Sequence, residues 1–330
     1  MWFEKLTGFK EESPEEVRDK IKVYNGVMTS LVNAQSYQCG TLEVRSLKEL
    51  RKKVSSLNQF NYKISVSEVI GDVQELHKDK DNTGALFQVA SQFNLLEMIN
   101  PNRTPEMGVG IYENDLTQGP ACAVACGAGT IYRNYFVKVN RKTGQTSNNQ
   151  IDCLSGIGKA LGNNDSSLWE MQNGYALANE HGLENISKQI QSLSDSKYDK
   201  LLGELKVGIQ WNTQVTLDNC KHAVSQIYCS ALPVSYSDYS ADQWSEFAQL
   251  ILNATYEATL YAGVLNYLET GNNKVYLTLV GGGAFGNRES WIISAIERAL
   301  NKFSKMPLDI KVVSYDGSNL TVQELAVLYK

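Results

Sequence analysis

The feature that most constrains this chain is a strand, a glycine turn and a helix in direct succession near its C-terminal end. The apolar run at residues 275–280 passes into Gly281-Gly282-Gly283-Ala284-Phe285-Gly286-Asn287, then into a helical pattern over 290–303 and a second apolar run at 309–315. Trp291, Ile292, Ala295, Ile296, Ala299, Leu300 and Phe303 share one face of that helix, so it packs on a core. Strand, crossover helix and strand imply two parallel strands joined right-handedly. Ligands of such sheets bind beyond the carboxyl ends of the strands, where the glycine turn stands. Its N–H groups and the helix N-terminus form a nest suited to phosphate, and three glycines in a row remove the side chains that would hold a phosphate away. A structural turn is the alternative, but it needs only one or two glycines.

From residue 62 onward, short apolar runs alternate with helices, the pattern of a three-layer α/β/α domain around a mixed sheet. Strands are expected at 63–70, 85–90, 130–139, 206–211, 275–280 and 309–315, and helices at 150–161, 184–193, 243–268 and 290–303. Upstream, Ser13-Pro14-Glu15-Glu16 starts a solvated helix, with Ser as cap and Pro in the first turn. A β-like segment at 42–44 and a helix at 47–54 follow. No repeat and no Pro- or Gly/Ser-rich linker divides the chain. Residues 1–61 are therefore expected to be an extension packed on a main domain of 62–330.

At 330 residues the chain suits one elaborated domain or two ordinary ones. With 31 Lys and Arg against 36 Asp and Glu, its net charge of −5 argues against a duplex nucleic-acid partner held by bulk electrostatics. The first thirty residues hold no apolar h-region, and the stretch at 244–268 carries Glu246 and Glu257, so no membrane segment is expected and a cytoplasmic location is. Six cysteines (Cys39, Cys122, Cys126, Cys153, Cys220, Cys229) form no CxxC pair and only three histidines accompany them. They read as reduced thiols, with neither a metal site nor a cofactor expected.

Two motif matches fail. Gly281, Gly283 and Gly286 spell a dinucleotide fingerprint, yet too little chain follows for the remaining strands of such a domain. Gly156-Ile157-Gly158-Lys159 lacks the upstream Gly and the hydroxyl residue of a P-loop. Two further segments carry candidate chemistry. Val69-Ile70-Gly71-Asp72-Val73 ends a strand in a carboxylate that can accept from an exocyclic amine or simply cap a helix. Ala90-Ser91-Gln92-Phe93-Asn94 ends another strand in an amide that can hold a ribose hydroxyl or satisfy a loop. Residues 117–130 are dominated by small side chains, so backbone packs closely there; Cys122 and Cys126 would share a face if helical, and read as packing residues.

Taken in order, these segments resemble the macrodomain family, the ADP-ribose-binding α/β/α fold, over most of the chain from residue 62. Gly71-Asp72-Val73 is similar to the family's Gly-Asp-Ile, whose Asp receives the adenine amine. Asn94 matches its ribose-contacting Asn, with Ser91 in place of a second one. Residues 279–287 are similar to its phosphate loop, with Phe285 on the aromatic position, and Tyr315 follows the last strand where an aromatic stacks near adenine. The chain departs from the family after Asn94, where Leu95-Leu96-Glu97-Met98 and a long polar insertion stand in place of a glycine-rich loop. The resemblance implies binding of ADP-ribose or a related adenine nucleotide through Asp72, Val73, Asn94, Gly281, Gly282, Gly283, Ala284, Phe285, Gly286, Asn287 and Tyr315. If the chain is an enzyme, it implies hydrolysis of an ADP-ribosyl bond at the distal ribose C1, on an ADP-ribosylated protein among other substrates. Glu97 is then the first candidate acid and Asp115 the second. The rival is a non-catalytic reader of ADP-ribose or a nucleotide signal that recruits a partner. A structural protein with a closed pocket is a third reading, which the intact glycine turn disfavours.

Overall fold

The computed structural model describes residues 1–56 and 61–329; residues 57–60 and 330, which the expected 1–61 and 62–330 segments include, lie outside the described residues. The chain opens with α1 (Trp2–Thr7), α2 (Pro14–Lys20) and an antiparallel meander of β1 (Ile21–Tyr24), β2 (Val27–Ser30) and β3 (Ser36–Gln38). Ser13 caps α2 as expected, its Oγ accepting the Glu16 N–H at 3.2 Å. There follow β4 (Thr41–Ser46), α3 (Leu47–Ser55), β5 (Ser65–Ile70), α4 (Val73–Lys78), β6 (Leu86–Ala90), α5 (Gln118–Ala125) and α6 (Gly127–Ile131). The ribbon β7 (Lys138–Val139) and β8 (Lys142–Thr143), then α7 (Ser155–Leu161), the hairpin β9 (Trp169–Gln172) and β10 (Tyr175–Ala178), α8 (Glu180–Gln191) and α9 (Asp195–Leu202) lead back to the sheet. It is completed by β11 (Lys206–Gln214), β12 (Ala223–Cys229), α10 (Ala241–Thr270), β13 (Lys274–Leu277), α11 (Glu289–Lys302), β14 (Asp309–Ser314) and α12 (Leu320–Leu328).

The central sheet is mixed, seven strands in the order β4-β11-β12-β6-β13-β14-β5. β12, β6, β13, β14 and β5 run parallel, with β11 antiparallel to its two neighbours. The expected crossover is there: β13 and β14 pair in parallel, Val275 opposite Ile310, and α11 connects them. α10 covers one face, sheathed by α3, α8, α9 and α11, while α4, α5 and α6 cover the other. Most of α10 is buried, which is why it reads as apolar all round. Its buried Glu257 is met by Arg51 Nε at 2.7 Å, Arg298 Nη1 at 2.8 Å and Lys302 Nζ at 2.5 Å, tying α3 and α11 to α10. Burial would raise this carboxyl, but the three cations outweigh it and hold it down to about 2.

Two expectations change. Residues 130–139 are not a strand: α6 runs into a π-turn at 132–136, and only 138–139 pair. The reason is Arg133, wholly buried, which donates to Thr130 Oγ1 at 3.1 Å and Leu95 O at 3.2 Å and stacks on Tyr228 at 3.5 Å. Residues three apart meet on a helix but point to opposite faces of a strand. The expected helix at 150–161 begins only at Ser155. Within the segment expected as an extension, β4 forms an edge of the central sheet and α3 packs on α10. α1, α2 and the meander build a second core, in which Phe3, Leu6, Phe9 and Ile21 pack with Leu96, Met98, Tyr112 and Tyr135.

Candidate functional site

The parallel strands β5, β6, β13 and β14 end at one edge of the sheet, and a cavity of about 250 Å³ opens there. Its walls are the glycine turn after β13, the segment after β6, the start of α5, and a cluster of three aromatic rings.

The turn is braced from behind. Tyr256 in α10 donates to Thr278 O at 2.7 Å and accepts the Val280 N–H at 3.0 Å. Asn287 Nδ2 donates to Leu232 O at 2.8 Å. Gly281 (φ 80°) and Gly286 (φ 70°) take the left-handed conformation that glycine adopts without strain. Within this frame, Gly282 N–H donates to Leu279 O at 3.0 Å and Gly286 N–H to Gly283 O at 2.9 Å, whereas the N–H groups of Gly281, Gly283, Ala284 and Phe285 donate no hydrogen bond among the described residues. Within residues 281–287, those four are the ones in the cavity lining. Unpaired amides converging on a concave surface make an anion site.

On the opposite wall, α5 is drawn against the end of β6 by Gln118, whose Oε1 accepts the Ala90 N–H at 2.9 Å while Nε2 donates to Gln88 O at 2.8 Å. Gly119 is required by this approach, because a Cβ there would stand 1.9 Å from Ala90 O. The first turn of α5 therefore faces the cavity, adding the positive end of a helix dipole. Among the described residues the lining includes no Lys, Arg or His, so an anion here meets backbone dipoles.

Glu97 enters from a strained turn. Leu95 sits at φ 66°, rare for a large side chain, with its N–H on Gln92 O at 2.9 Å and its side chain packed on Gly208. Two residues on, Glu97 lines the cavity yet is only 2% exposed, and among the described residues neither carboxyl oxygen is within hydrogen-bond geometry of a partner. Arg133 Nη2 is 3.7 Å from Oε1. Burial pushes this carboxyl up to about 8, against the pull of the Arg133 guanidinium and the Tyr112 hydroxyl. A carboxylic acid that keeps its proton near neutral pH inside a cavity is poised as a general acid. Asp115, also in the lining, is half-buried and accepts from Thr117 N at 2.9 Å and Thr117 Oγ1 at 2.6 Å.

The structure thus brings Glu97, Asp115, Gly281, Gly283, Ala284 and Phe285 together. Asp72 and Tyr315 lie at the same sheet edge but outside the cavity, brought near each other because Ser314 pairs with Ile70. Both are exposed, and Asp72 Oδ1 also caps α4 by accepting the Gln74 N–H at 2.6 Å. Val73 is buried in the core. Asn94 is fully buried and turned away, accepting the Leu96 N–H at 3.1 Å and donating to Gln150 Oε1 at 2.8 Å, so it shapes the turn before Glu97. Gly282, Gly286 and Asn287 belong to the frame of the glycine turn. Sequence reasoning missed Tyr175 and Tyr236, which with Phe285 form a ring cluster with centroids 5.2–5.6 Å apart. They come from β10 and the segment after β12, and no local pattern marks them. Among the described residues no group of three or more His, Cys, Asp or Glu side chains could hold a metal ion, and no helix is long and apolar enough to cross a membrane.

Solved structures similar to this chain include poly(ADP-ribose) glycohydrolase from Thermomonospora curvata, at 10% identity over 96% of each chain with a TM-score of 0.47. The same enzyme bound to the inhibitor ADP-HPD is 11% identical over 96% of each chain, with a TM-score of 0.43. Poly(ADP-ribose) glycohydrolase from Deinococcus radiodurans in complex with ADP-ribose is 10% identical over 86% of this chain and 91% of that one, with a TM-score of 0.45. No family model matches the chain. No curated protein matches it either.

Proposed function

We propose that this chain binds ADP-ribose, or a related adenine diphosphate nucleotide, along the carboxyl edge of its sheet and hydrolyses an ADP-ribosyl bond there. The observation that carries the reading is the row of amides at Gly281, Gly283, Ala284 and Phe285 with no hydrogen bond among the described residues, sharing one cavity with the buried Glu97 carboxyl that faces Arg133 at 3.7 Å. The amides receive the diphosphate. A cavity of about 250 Å³ takes the phosphates and the distal ribose, which leaves adenine to lie on the open edge by Asp72 and Tyr315. Phe285, Tyr175 and Tyr236 flank the sugar with apolar ring surface.

In the reaction, the bond from the distal ribose C1 to its leaving atom breaks and a bond from C1 to a water oxygen forms. Glu97 gives its proton to the leaving atom, and the water's proton returns to the Glu97 carboxylate. Asp115 is the second acid at the mouth. The substrate's own phosphate, fixed by the amides, orients the water. The six free cysteines, five of them buried, fit a reducing compartment such as the cytoplasm.

Calorimetric titration with ADP-ribose, ADP and NAD tests the binding, and release of labelled ADP-ribose from protein modified through acyl, Arg or Ser linkages tests the chemistry. Binding of ADP-ribose and ADP with release from at least one linkage is expected. No binding at millimolar concentration removes the nucleotide reading. Binding without release from any linkage makes the chain a reader.

A further inference from the structure

The N-terminal segment is tied to the approach to the cavity by a half-buried glutamate side chain. Glu11 lies in the link between α1 and α2. Its Oε1 accepts the Val109 N–H at 2.9 Å and the Tyr135 hydroxyl at 2.6 Å, and its Oε2 accepts the Gly110 N–H at 2.6 Å. Val109 is flanked by glycines because the carboxylate sits against the backbone. A Cβ on Gly108 would stand 2.6 Å, and one on Gly110 2.8 Å, from Oε2. Trp2 N–H adds a second tie, donating to Glu113 Oε2 at 2.7 Å.

The turn held in this way leads to the site. It runs over residues 110–114 and ends at Asp115, in the lining. Within it, the Tyr112 hydroxyl accepts the Glu97 N–H at 3.0 Å. Leu96 and Met98, on either side of Glu97, are packed in the same core as Phe3, Leu6 and Phe9. Glu11 thus joins the N-terminal link to this turn by hydrogen bonds that continue through Tyr112 to the Glu97 backbone.

We infer that Glu11 is a positioning residue: by gripping Val109, Gly110 and Tyr135 it fixes the turn that holds Glu97 and Asp115 at the cavity. The N-terminal segment is thereby part of the machinery of the site. This rests on the proposed role of Glu97, but it makes a claim that can be measured without turnover. The Glu97 carboxyl is high because it is dry, facing Arg133 and Tyr112, with Tyr228, Cys122 and Cys126 behind them. Loosening the turn admits water and lets the carboxyl fall toward its ordinary range. A carboxylate that merely stabilised the fold would lower the melting temperature and leave Glu97 unchanged in the native state.

The test follows the Glu97 carboxyl by carbon NMR through a pH titration, assigned with Glu97→Gln, in the full chain and in its Glu11→Gln and Tyr135→Phe variants. Amide hydrogen exchange is read alongside at residues 97, 109 and 110. The full chain should titrate at about 8. Glu11→Gln should bring the midpoint down by one unit or more and speed exchange at the three amides at least tenfold. Tyr135→Phe keeps the ring and removes one donor, so it should shift both in the same direction by less, and it supplies the same reading if Glu11→Gln does not fold. An unmoved midpoint with unmoved exchange in folded variants overturns the inference and leaves the proposed function standing. Absence of ADP-ribosyl hydrolysis in the unaltered chain removes the catalytic reading, while a shifted midpoint still upholds the positioning of Glu97.

Discussion

Gly283→Val separates the proposed phosphate contact from the fold. A Cβ on Gly283 would meet no atom within 4 Å, and its φ is not in the left-handed region, so the protein itself has no reason to resist the change. The neighbouring glycines are poorer probes. A Cβ on Gly281 would come within 2.4 Å of Ala231 Cβ, one on Gly286 within 1.8 Å of Ser235 Oγ, and one on Gly282 within 3.2 Å of Ile292 Cδ1. Valine at 283 should therefore leave stability within about 0.5 kcal/mol, since it touches no packed group. Its methyls occupy the approach a phosphate needs to reach the Gly283, Ala284 and Phe285 amides. A hydrogen bond to a charged group contributes about 1.5–3 kcal/mol, so losing two costs about 3–6 kcal/mol, a rise of roughly 10²–10⁴ in Kd. Calorimetry with ADP-ribose and with the variant's melting curve measures both. Undiminished affinity in a variant with an unchanged Tm would refute the amide site.

Glu97→Gln should slow ADP-ribosyl release by roughly 10²–10⁴ while leaving affinity within a few fold, as read by single-turnover assay beside calorimetry. Because Glu97 binds its proton more tightly folded than unfolded, the chain should lose on the order of 1 kcal/mol of stability per pH unit as pH rises from about 4.5 to about 8, a slope absent from Glu97→Gln in denaturant titrations. Glu257 has the opposite sign: held down to about 2 by its cations, it contributes stability that is present above the ordinary carboxyl range and lost as pH falls toward 2. Glu257→Gln should cost about 3 kcal/mol at neutral pH by removing the buried carboxylate that Arg51, Arg298 and Lys302 share, leaving the two arginines to Asp199 alone, measured as a shifted denaturation midpoint. Asp72→Ala should weaken adenine-containing ligands by about 1–3 kcal/mol in calorimetry, with about 1 kcal/mol of stability lost from the α4 cap.

The parts of the fold that were legible are those whose residues obey a local period. The crossover over β13, α11 and β14, the long apolar α10 and the Ser13 cap follow from the α11 stripe, the length of the α10 run and capping chemistry that operates within a few residues. What was hidden is written in buried polar groups. β12 reads as interrupted because Ser225 and Gln226 are polar, yet both are inside: Ser225 Oγ accepts the Asn212 N–H, and Gln226 Nε2 donates to Cys122 O at 2.9 Å. Arg133 likewise turns an apparent strand into a helix for partners that only the folded chain supplies. The candidate site divides in the same way. The glycine turn is visible because it is contiguous, and Glu97 because it follows a strand end. The Tyr175 and Tyr236 rings and the Glu11 grip join segments far apart in sequence, and no spacing announces them.

Whether the glycine turn receives a diphosphate is read by following the backbone amides of Gly281, Gly283, Ala284 and Phe285 by NMR while ADP-ribose is added. These four resonances should shift together and saturate with ADP-ribose and with ADP, and stay in place with adenosine, which has no phosphate. Saturating shifts confined to other parts of the chain, or no shift at these amides with millimolar ADP-ribose, would contradict a diphosphate site at the turn.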